Sequence, residues 1–312
     1  MSAALPRPAD DGSLIELRHG ARRVLIAPHV GGAIAAFFDA GERGDVHWLR
    51  PASREALAAC DPLGMASFPL LPYCNRIRDA RFVFDDETVD LAGDGNAFDH
   101  ALHGHAWRRP WRVGATTRSS VELHFSHVPS AAPAHHWPFR YEATQRIELS
   151  SAALTVTMSA RNLSDRRMPF GMGHHPYYPR TRTTRIHTRV AAMWHSTPDL
   201  LPTHLGPHVC IGQLASSEGM LADAFDLDNN FAGWSRRATI AWPDEQRSVT
   251  LCAEAPFDHM VLYAPADEPS LLCVEPVTNT VDWINLDGGG GGGCVLGPGE
   301  SIRASFAWMP LR

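Results

Sequence analysis

Tyr141-Glu142-Ala143-Thr144-Gln145-Arg146-Ile147-Glu148-Leu149 sets Tyr141, Ala143, Ile147 and Leu149 against Glu142, Thr144, Arg146 and Glu148 at a period of two. Side chains of a strand point alternately to opposite faces, so this stretch predicts a strand with one face on a core and the other in water. The same period returns upstream in Val121, Leu123 and Phe125 against Glu122, His124 and Ser126. Downstream it recurs in Leu154, Val156, Met158 and Ala160, and again in Ile302, Ala304, Phe306 and Trp308. Half-buried strands of this kind belong to antiparallel sheets. Arg81-Phe82-Val83-Phe84 and Thr88-Val89-Asp90-Leu91 flank Asp85-Asp86-Glu87, which predicts a hairpin. The one good helix candidate is short, with Ser53 as N-cap before Glu55-Ala56-Leu57-Ala58.

With 25 glycines and 24 prolines punctuating many short strands, the chain reads as all-β, a large antiparallel β-sandwich with few short helices. Its 312 residues exceed the common domain size, yet sandwiches and barrels pass two hundred residues as single units. No internal repeat or Pro/Ser-rich linker divides it, so residues 1–312 are expected to form one domain. The glycine run Gly288 to Gly293 is too short to join domains and reads as a floppy hairpin loop.

A net charge of −6 gives no basic footprint for nucleic acid or an anionic membrane. All 28 basic residues are arginines; without lysine there is no Schiff base, no pyridoxal-phosphate site and no lysine-containing P-loop. Cys60, Cys74, Cys210, Cys252, Cys273 and Cys294 form no C-x-x-C pair, which argues for buried free thiols over a zinc site or a disulfide framework. Asp10, Asp11 and Glu16 stand where a signal peptide needs an apolar core, and no apolar run has the length of a membrane span. A cytoplasmic location is expected.

The residues that could carry chemistry are scattered. Pro69, Pro72 and their neighbours lead into Asn75-Arg76. On one reading these are a turn former and a surface ion-pair partner; on the other, rigid prolines aim an amide and a planar fork of donors at sugar hydroxyls. His103 and His105 in His-Gly-His would face the same side of a strand as two metal ligands, but no third ligand is in evidence in the sequence, and a hydrogen bond from His103 to substrate fits better. His135-His136 reads as loop. His175 precedes Pro176-Tyr177-Tyr178, a rigid aromatic setting suited to a core residue or to an acid. Glu275 ends the apolar run Leu271-Leu272-Cys273-Val274, and carboxylates are rarely buried without a partner or a task. Asp226-Leu227-Asp228-Asn229-Asn230-Phe231 lacks the spacing of a calcium loop. Arg180, Arg182, Arg185 and Arg189 suit a solvated strand or a phosphate site. A histidine, an arginine and a carboxylate without a metal or nucleophile motif suit proton transfer on a neutral polyol.

From about Asp61 to about Pro310 these pieces resemble the aldose 1-epimerase (galactose mutarotase) family. In order they are an Asn-Arg pair, Leu-His-Gly, His-x-Tyr-aromatic, Asp-x-Asn-Phe and a late strand ending in glutamate. The resemblance implies the galactose mutarotase-like supersandwich, an isomerase needing no cofactor and no metal, and a small-molecule sugar as partner. A monomer or homodimer is expected. The resemblance casts His175 as general acid, Glu275 as general base and His103 as the second active-site histidine. Asn75 and Arg76 fall on the substrate-binding pair, and Asp228 on the acid that binds sugar hydroxyls, with Asp226 two residues away as its competitor. His105 stands where a second glycine is usual, and Gly171-Met172-Gly173-His174 replaces frequent polar residues; both departures bear on the choice of sugar.

The implied chemistry opens and recloses the ring at the anomeric carbon. Glu275 takes the C1 hydroxyl proton while His175, as imidazolium, protonates the ring oxygen. Ordinary values of about 4.3 for glutamate and about 6.5 for histidine make one a base and the other an acid near neutrality, with a bell-shaped pH profile between them. Two alternatives stand beside it: a hexose-phosphate 1-epimerase using Arg180, Arg182 or Arg185, and a non-catalytic sugar-binding sandwich, whose expected sign is loss of the acid or base. A glycoside hydrolase would need a second carboxylate in a setting like that of Glu275.

Overall fold

The computed structural model describes residues 14–93, 99–129, 136–286 and 291–312. His135 and the first half of the glycine run lie outside them. Strands dominate, joined by two α-helices among the described residues. The strand read first, Tyr141–Leu149, pairs along its whole length with Leu154–Asn162 on one side and, from Tyr141 through Glu148, with Ser120–His127 on the other. These sit in a nine-stranded sheet ordered Arg112–Thr116, Ser120–His127, Tyr141–Leu149, Leu154–Asn162, Ser301–Leu311, Arg247–Ala253, Arg237–Trp242, Arg185–Thr188, Met220–Leu221. Alternation governs burial as expected: Val121, Leu123, Tyr141, Ile147, Val156, Phe306 and Trp308 are all buried. Thr157 breaks the pattern because its hydroxyl, buried at the sheet, finds Ser305 Oγ at 3.0 Å.

A second sheet has seven strands in the order Pro202–Gly206, Ala192–Ser196, Leu227–Ala232, His259–Ala264, Cys273–Val277, Gly173–His174, Pro69–Leu70. Apolar side chains of both sheets, among them Phe231, Met260 and Val274 from the second and Val156, Ile240 and Leu251 from the first, fall in one buried cluster. His174 stitches the sheets together. Its Nε2 meets Gln145 Oε1 at 2.8 Å, its Nδ1 is hydrogen-bonded to Ser67 Oγ, and its ring lies against Phe306 and Trp308. A four-stranded sheet, Ile15–His19 to Val46–His47, and three two-stranded pairs complete the architecture.

Ser53 caps the helix Arg54–Ala59 as expected, its Oγ accepting from Ala56 N at 3.0 Å. The helix Val209–Ala215 was not foreseen: a histidine cap, His208, and Gly212 in its middle hide it from propensity. The predicted hairpin forms with its turn one residue shorter. Arg81–Phe84 pairs Glu87–Asp90, and Asp85 and Asp86 both take positive φ, so Glu87 joins the strand. The described end of the glycine run is no floppy loop. Gly293 N bonds Thr278 O at 2.7 Å, and a Cβ on Gly292, whose φ is +75°, would stand 2.4 Å from that same carbonyl.

Candidate functional site

Against the central strands of the seven-stranded sheet lies a cavity of about 840 Å³ lined by Asn75, Arg76, His103, His175, Asp228 and Glu275 together with Arg50, Tyr177, Tyr263 and the loop through Asp267 and Glu268. All six residues singled out in the sequence thus meet at one place. Asp228 comes from Leu227–Ala232, Glu275 from Cys273–Val277, and His175 directly follows Gly173–His174. Asn75 and His103 arrive from the pair Arg76–Ile77 and Ala101–Leu102, in which Arg76 sits opposite Leu102.

Asn75 and His103 hold one another. His103 N donates to Asn75 O at 2.9 Å, and Asn75 N donates to His103 Nδ1 at 3.1 Å. Both have positive φ, 62° and 59°, a conformation that asparagine and histidine tolerate better than most and that persists where surrounding structure imposes it. A backbone N–H can only donate, so Nδ1 is unprotonated. Burial, with the charges of His175 and Arg76 adding, keeps the imidazole neutral, so its one proton sits on Nε2 and is offered as a donor. Because His103 and Gly104 both bend to positive φ, the sequence does not run as a strand here and His105 turns away. His105 lies buried against His127 and takes its Nε2 contact, 3.1 Å, from Tyr141 Oη. The two-ligand zinc reading of His103 and His105 therefore fails.

His175 is packed against two neighbouring aromatic rings. Its ring stacks on Phe68 at 4.8 Å and lies tilted against Tyr177 at 4.8 Å, with Trp107 beyond Phe68 and the Arg50 guanidinium 3.9 Å over Tyr177. His175 Nε2 is 3.3 Å from Glu275 Oε1. Neither His175 Nδ1 nor Glu275 Oε2 has a hydrogen-bond partner, although both are buried. Burial lowers the His175 pKa to about 3. Burial, then repulsion from Asp228, pushes Glu275 well above the usual carboxylate range, with Arg76 opposing. Both shifts favour the uncharged forms in the free protein, a neutral imidazole and a protonated carboxyl, because burial disfavours either charge.

Arg76 Nη1 reaches both Asn75 Oδ1, 3.1 Å, and Asp228 Oδ2, 3.7 Å. Burial raises the Asp228 pKa, Arg76 pulls it down, and Asp226 adds to the rise. Asp226 itself accepts from Ala266 N at 3.1 Å, so it braces the loop and Asp228 faces the cavity. Arg180 is also structural: buried, it pairs with Asp223 at 2.8 Å and donates to Pro265 O and Leu271 O. Arg185 donates to Glu218 O and Gly219 O. Neither lines the cavity, and neither do Arg182 and Arg189. The cysteine expectation is half right: Cys74, Cys210 and Cys273 are buried, whereas Cys60 is exposed and Cys252 and Cys294 are intermediate. Among the described residues one group, His175, Cys273 and Glu275, brings donor atoms within 4.8 Å of one another, a metal geometry that no sequence spacing announced.

Sequence reasoning missed Arg50, whose Nη2 donates to Leu63 O at 2.9 Å while its plane covers Tyr177. A lone arginine before Pro51 carries no signal. Asp267 and Glu268 were missed too, although an acidic pair between Pro265 and Pro269 could have suggested a cavity wall.

A doubly sheeted β-sandwich with a buried histidine–glutamate pair in its cavity defines a class, and comparison with known proteins gives it a family. A family model described as aldose 1-epimerase matches residues 13–308. The uncharacterized protein YphB of Escherichia coli K12 is 26% identical over 301 residues, covering 95% of this chain and 98% of that one. The crystal structure of a galactose mutarotase-like protein from Clostridium acetobutylicum superposes with a TM-score of 0.82 at 20% identity, covering 96% of this chain and 95% of that one. One from Lactobacillus casei ATCC 334 gives 0.76 at 16% identity, covering 96% of this chain and 100% of that one. The chain belongs to the aldose 1-epimerase family. No helix among the described residues is long and apolar enough to cross a membrane.

Proposed function

We propose that the protein interconverts the α and β anomers of a free aldohexose. The observation that carries this is the buried His175–Glu275 contact of 3.3 Å at the cavity floor. In this mechanism the pair holds one proton in total across the pH range between its two titrations, and the proton crosses between carboxyl and imidazole when sugar binds. With the proton on His175, Glu275 is free to accept from the C1 hydroxyl while His175 donates to the ring oxygen. The chain opens, the aldehyde carbon rotates, and the same two groups reverse their roles on its other face. His103 Nε2–H, Asn75, Arg76 and Asp228 hold hydroxyls, and the half-buried ring of Tyr263 suits the C–H surface of the sugar.

The free sugar is favoured over its phosphate by the charges around the cavity. Asp61, Asp228, Asp267, Glu268 and Glu275 line it. Its two arginines are both engaged, Arg50 with the Leu63 and Met65 carbonyls and Arg76 with Asn75 and Asp228. An added phosphate would meet repulsion without a free guanidinium. The sandwich that binds sugar without turnover is disfavoured by the presence of both acid and base. Saturation-transfer NMR or polarimetry on a panel of aldoses, with hexose 6-phosphates alongside, tests this reading. Exchange between anomers should accelerate for at least one free aldohexose; no acceleration anywhere on the panel would remove the activity.

A further inference from the structure

The wall beneath the acid–base pair contains a thiol that proton transfer does not use. Cys273 lies two residues before Glu275 on the strand Cys273–Val277, so both side chains leave the same face of the sheet. Cys273 is fully buried, and one donor atom from each of His175, Cys273 and Glu275 falls within 4.8 Å of the other two. We infer that these three residues form a binding site for a borderline-soft divalent cation, typified by Zn²⁺, which inhibits turnover by taking the place of the proton that the pair shares.

The chemistry of the donors fits that ion. Imidazole nitrogen, thiolate sulfur and carboxylate oxygen are the three ligand types zinc selects, with bonds of about 2.0–2.3 Å in tetrahedral geometry. Two nitrogen and oxygen donors about 2.1 Å from a tetrahedral ion stand roughly 3.4 Å apart. His175 Nε2 and Glu275 Oε1 are already 3.3 Å apart, so two of the ligands need almost no movement. The third, at up to 4.8 Å, closes by a small rotation of the cysteine side chain. Glu275 Oε2, buried without a hydrogen-bond partner, gains an interaction it otherwise lacks. Binding sends the proton of the pair and the thiol proton to solvent, leaving thiolate and carboxylate to neutralise the dication. The fourth position opens to the cavity, where water or a sugar hydroxyl completes the shell. Inhibition follows because the metal occupies the nitrogen and the oxygen that must exchange protons with the ring.

Inhibition rests on the epimerase reading; binding does not, and the experiment separates them. The EDTA-treated full chain is titrated with ZnCl₂ by calorimetry and with CdCl₂ by absorbance, and anomer exchange is followed with and without zinc. One zinc site per chain is expected, weakened at least tenfold in both Cys273→Ser and Cys273→Ala and unchanged in Cys60→Ser at the exposed cysteine. Zinc should slow the EDTA-treated protein, and EDTA should restore its rate. Calorimetric binding lost with Cys273 sustains the site even if no aldose is turned over, a result that would sink only the epimerase reading. Equal zinc affinity in both Cys273 variants overturns the proposal. So does a wild-type cadmium complex without a thiolate charge-transfer band, which needs no variant to fold. Zinc that accelerates the stripped protein would make it a cofactor and overturn the inhibitory role.

Discussion

The two large sheets obey different rules. In the nine-stranded sheet, Tyr141–Leu149 and its neighbours keep unbroken register over eight or more residues, bury apolar side chains and turn their charges to water. In the seven-stranded sheet, two strands are only two residues long, and Asn230, His259 and Glu275 are buried on its central strands and Thr278, Asn279 and Thr280 just beyond them. Long strands in continuous register store stability. Short strands that bury a carboxylate beside an imidazole and give way to positive φ at Asn75 and His103 give up stability to hold the cavity's side chains in place. Two carboxylates embody the contrast. Glu148 sits half-exposed on the regular sheet with Arg146 at 2.8 Å, and Glu275 lies buried on the irregular one against an imidazole.

The sharpest way to break this comparison is to change both carboxylates alike. Glu275→Gln should cut the rate of anomer exchange by about a hundred- to ten-thousand-fold, the usual reach of general-base catalysis, because the amide keeps the shape and loses the base. Glu148→Gln should leave the rate unchanged. A Glu275→Gln protein within about threefold of wild type would take proton transfer away from this residue.

What was legible follows the same division. Alternation in Val121–Phe125, Tyr141–Leu149 and Leu154–Ala160 fixes strand, face and buried side chains, because a period of two has no other explanation over such lengths. The short strands Pro69–Leu70 and Gly173–His174 carry no period at all, and the motifs on and beside them are visible only as residue types. His174 and His175 are indistinguishable by composition. One is wired to Ser67 and Gln145 in the core and the other faces the cavity, a difference set by pairing with strands a hundred residues away. Likewise Asp226 and Asp228 separate only when the Ala266 backbone claims the first. The shift of His175 and Glu275 toward their uncharged forms was out of reach of the sequence, since desolvation depends on the finished walls of the cavity.

Stability breaks the comparison from the other side. Leu123 is fully buried on Ser120–His127, away from the cavity. Leu123→Ala should cost about 2–5 kcal/mol in chemical denaturation, the range for emptying a well-packed leucine site, while kcat of the folded fraction stays that of wild type. A large kcat loss with little loss of stability would mean that the regular sheet also sets the chemistry.

Around the cavity the site residues should divide by role. His175→Asn removes the acid as charge moves and should lower kcat roughly a hundredfold with little change in KM. Arg76→Ala, which holds hydroxyls before and during reaction, should raise KM about tenfold and spare kcat more. Equal effects of both changes on kcat and KM would dissolve the distinction between proton donor and anchor.

The smallest effect is the most diagnostic, because the two carboxylates should titrate stability in opposite directions. Glu275 has its pKa raised by burial and by Asp228. Below about pH 4.3 it is protonated folded and unfolded alike. As pH rises past that value the unfolded chain releases its proton and the folded chain does not, so stability falls until pH passes the folded pKa. Glutamine has no proton to lose, so Glu275→Gln should melt above wild type by a margin that grows from about pH 4.3 upward. Glu148 is lowered by its hydrogen bond from Arg146, so it adds stability above the unfolded pKa and loses it as pH falls through the folded one. Half-exposed and screened by solvent, that pair contributes little. Glu148→Gln should therefore melt slightly below wild type at neutral pH, with the gap closing toward pH 3. Melting curves of the three proteins from pH 3 to 9 decide it: a Glu275→Gln margin that shrinks with rising pH would mean that the buried glutamate is held as a stabilised carboxylate, and the contrast between the two sheets would lose its electrostatic basis.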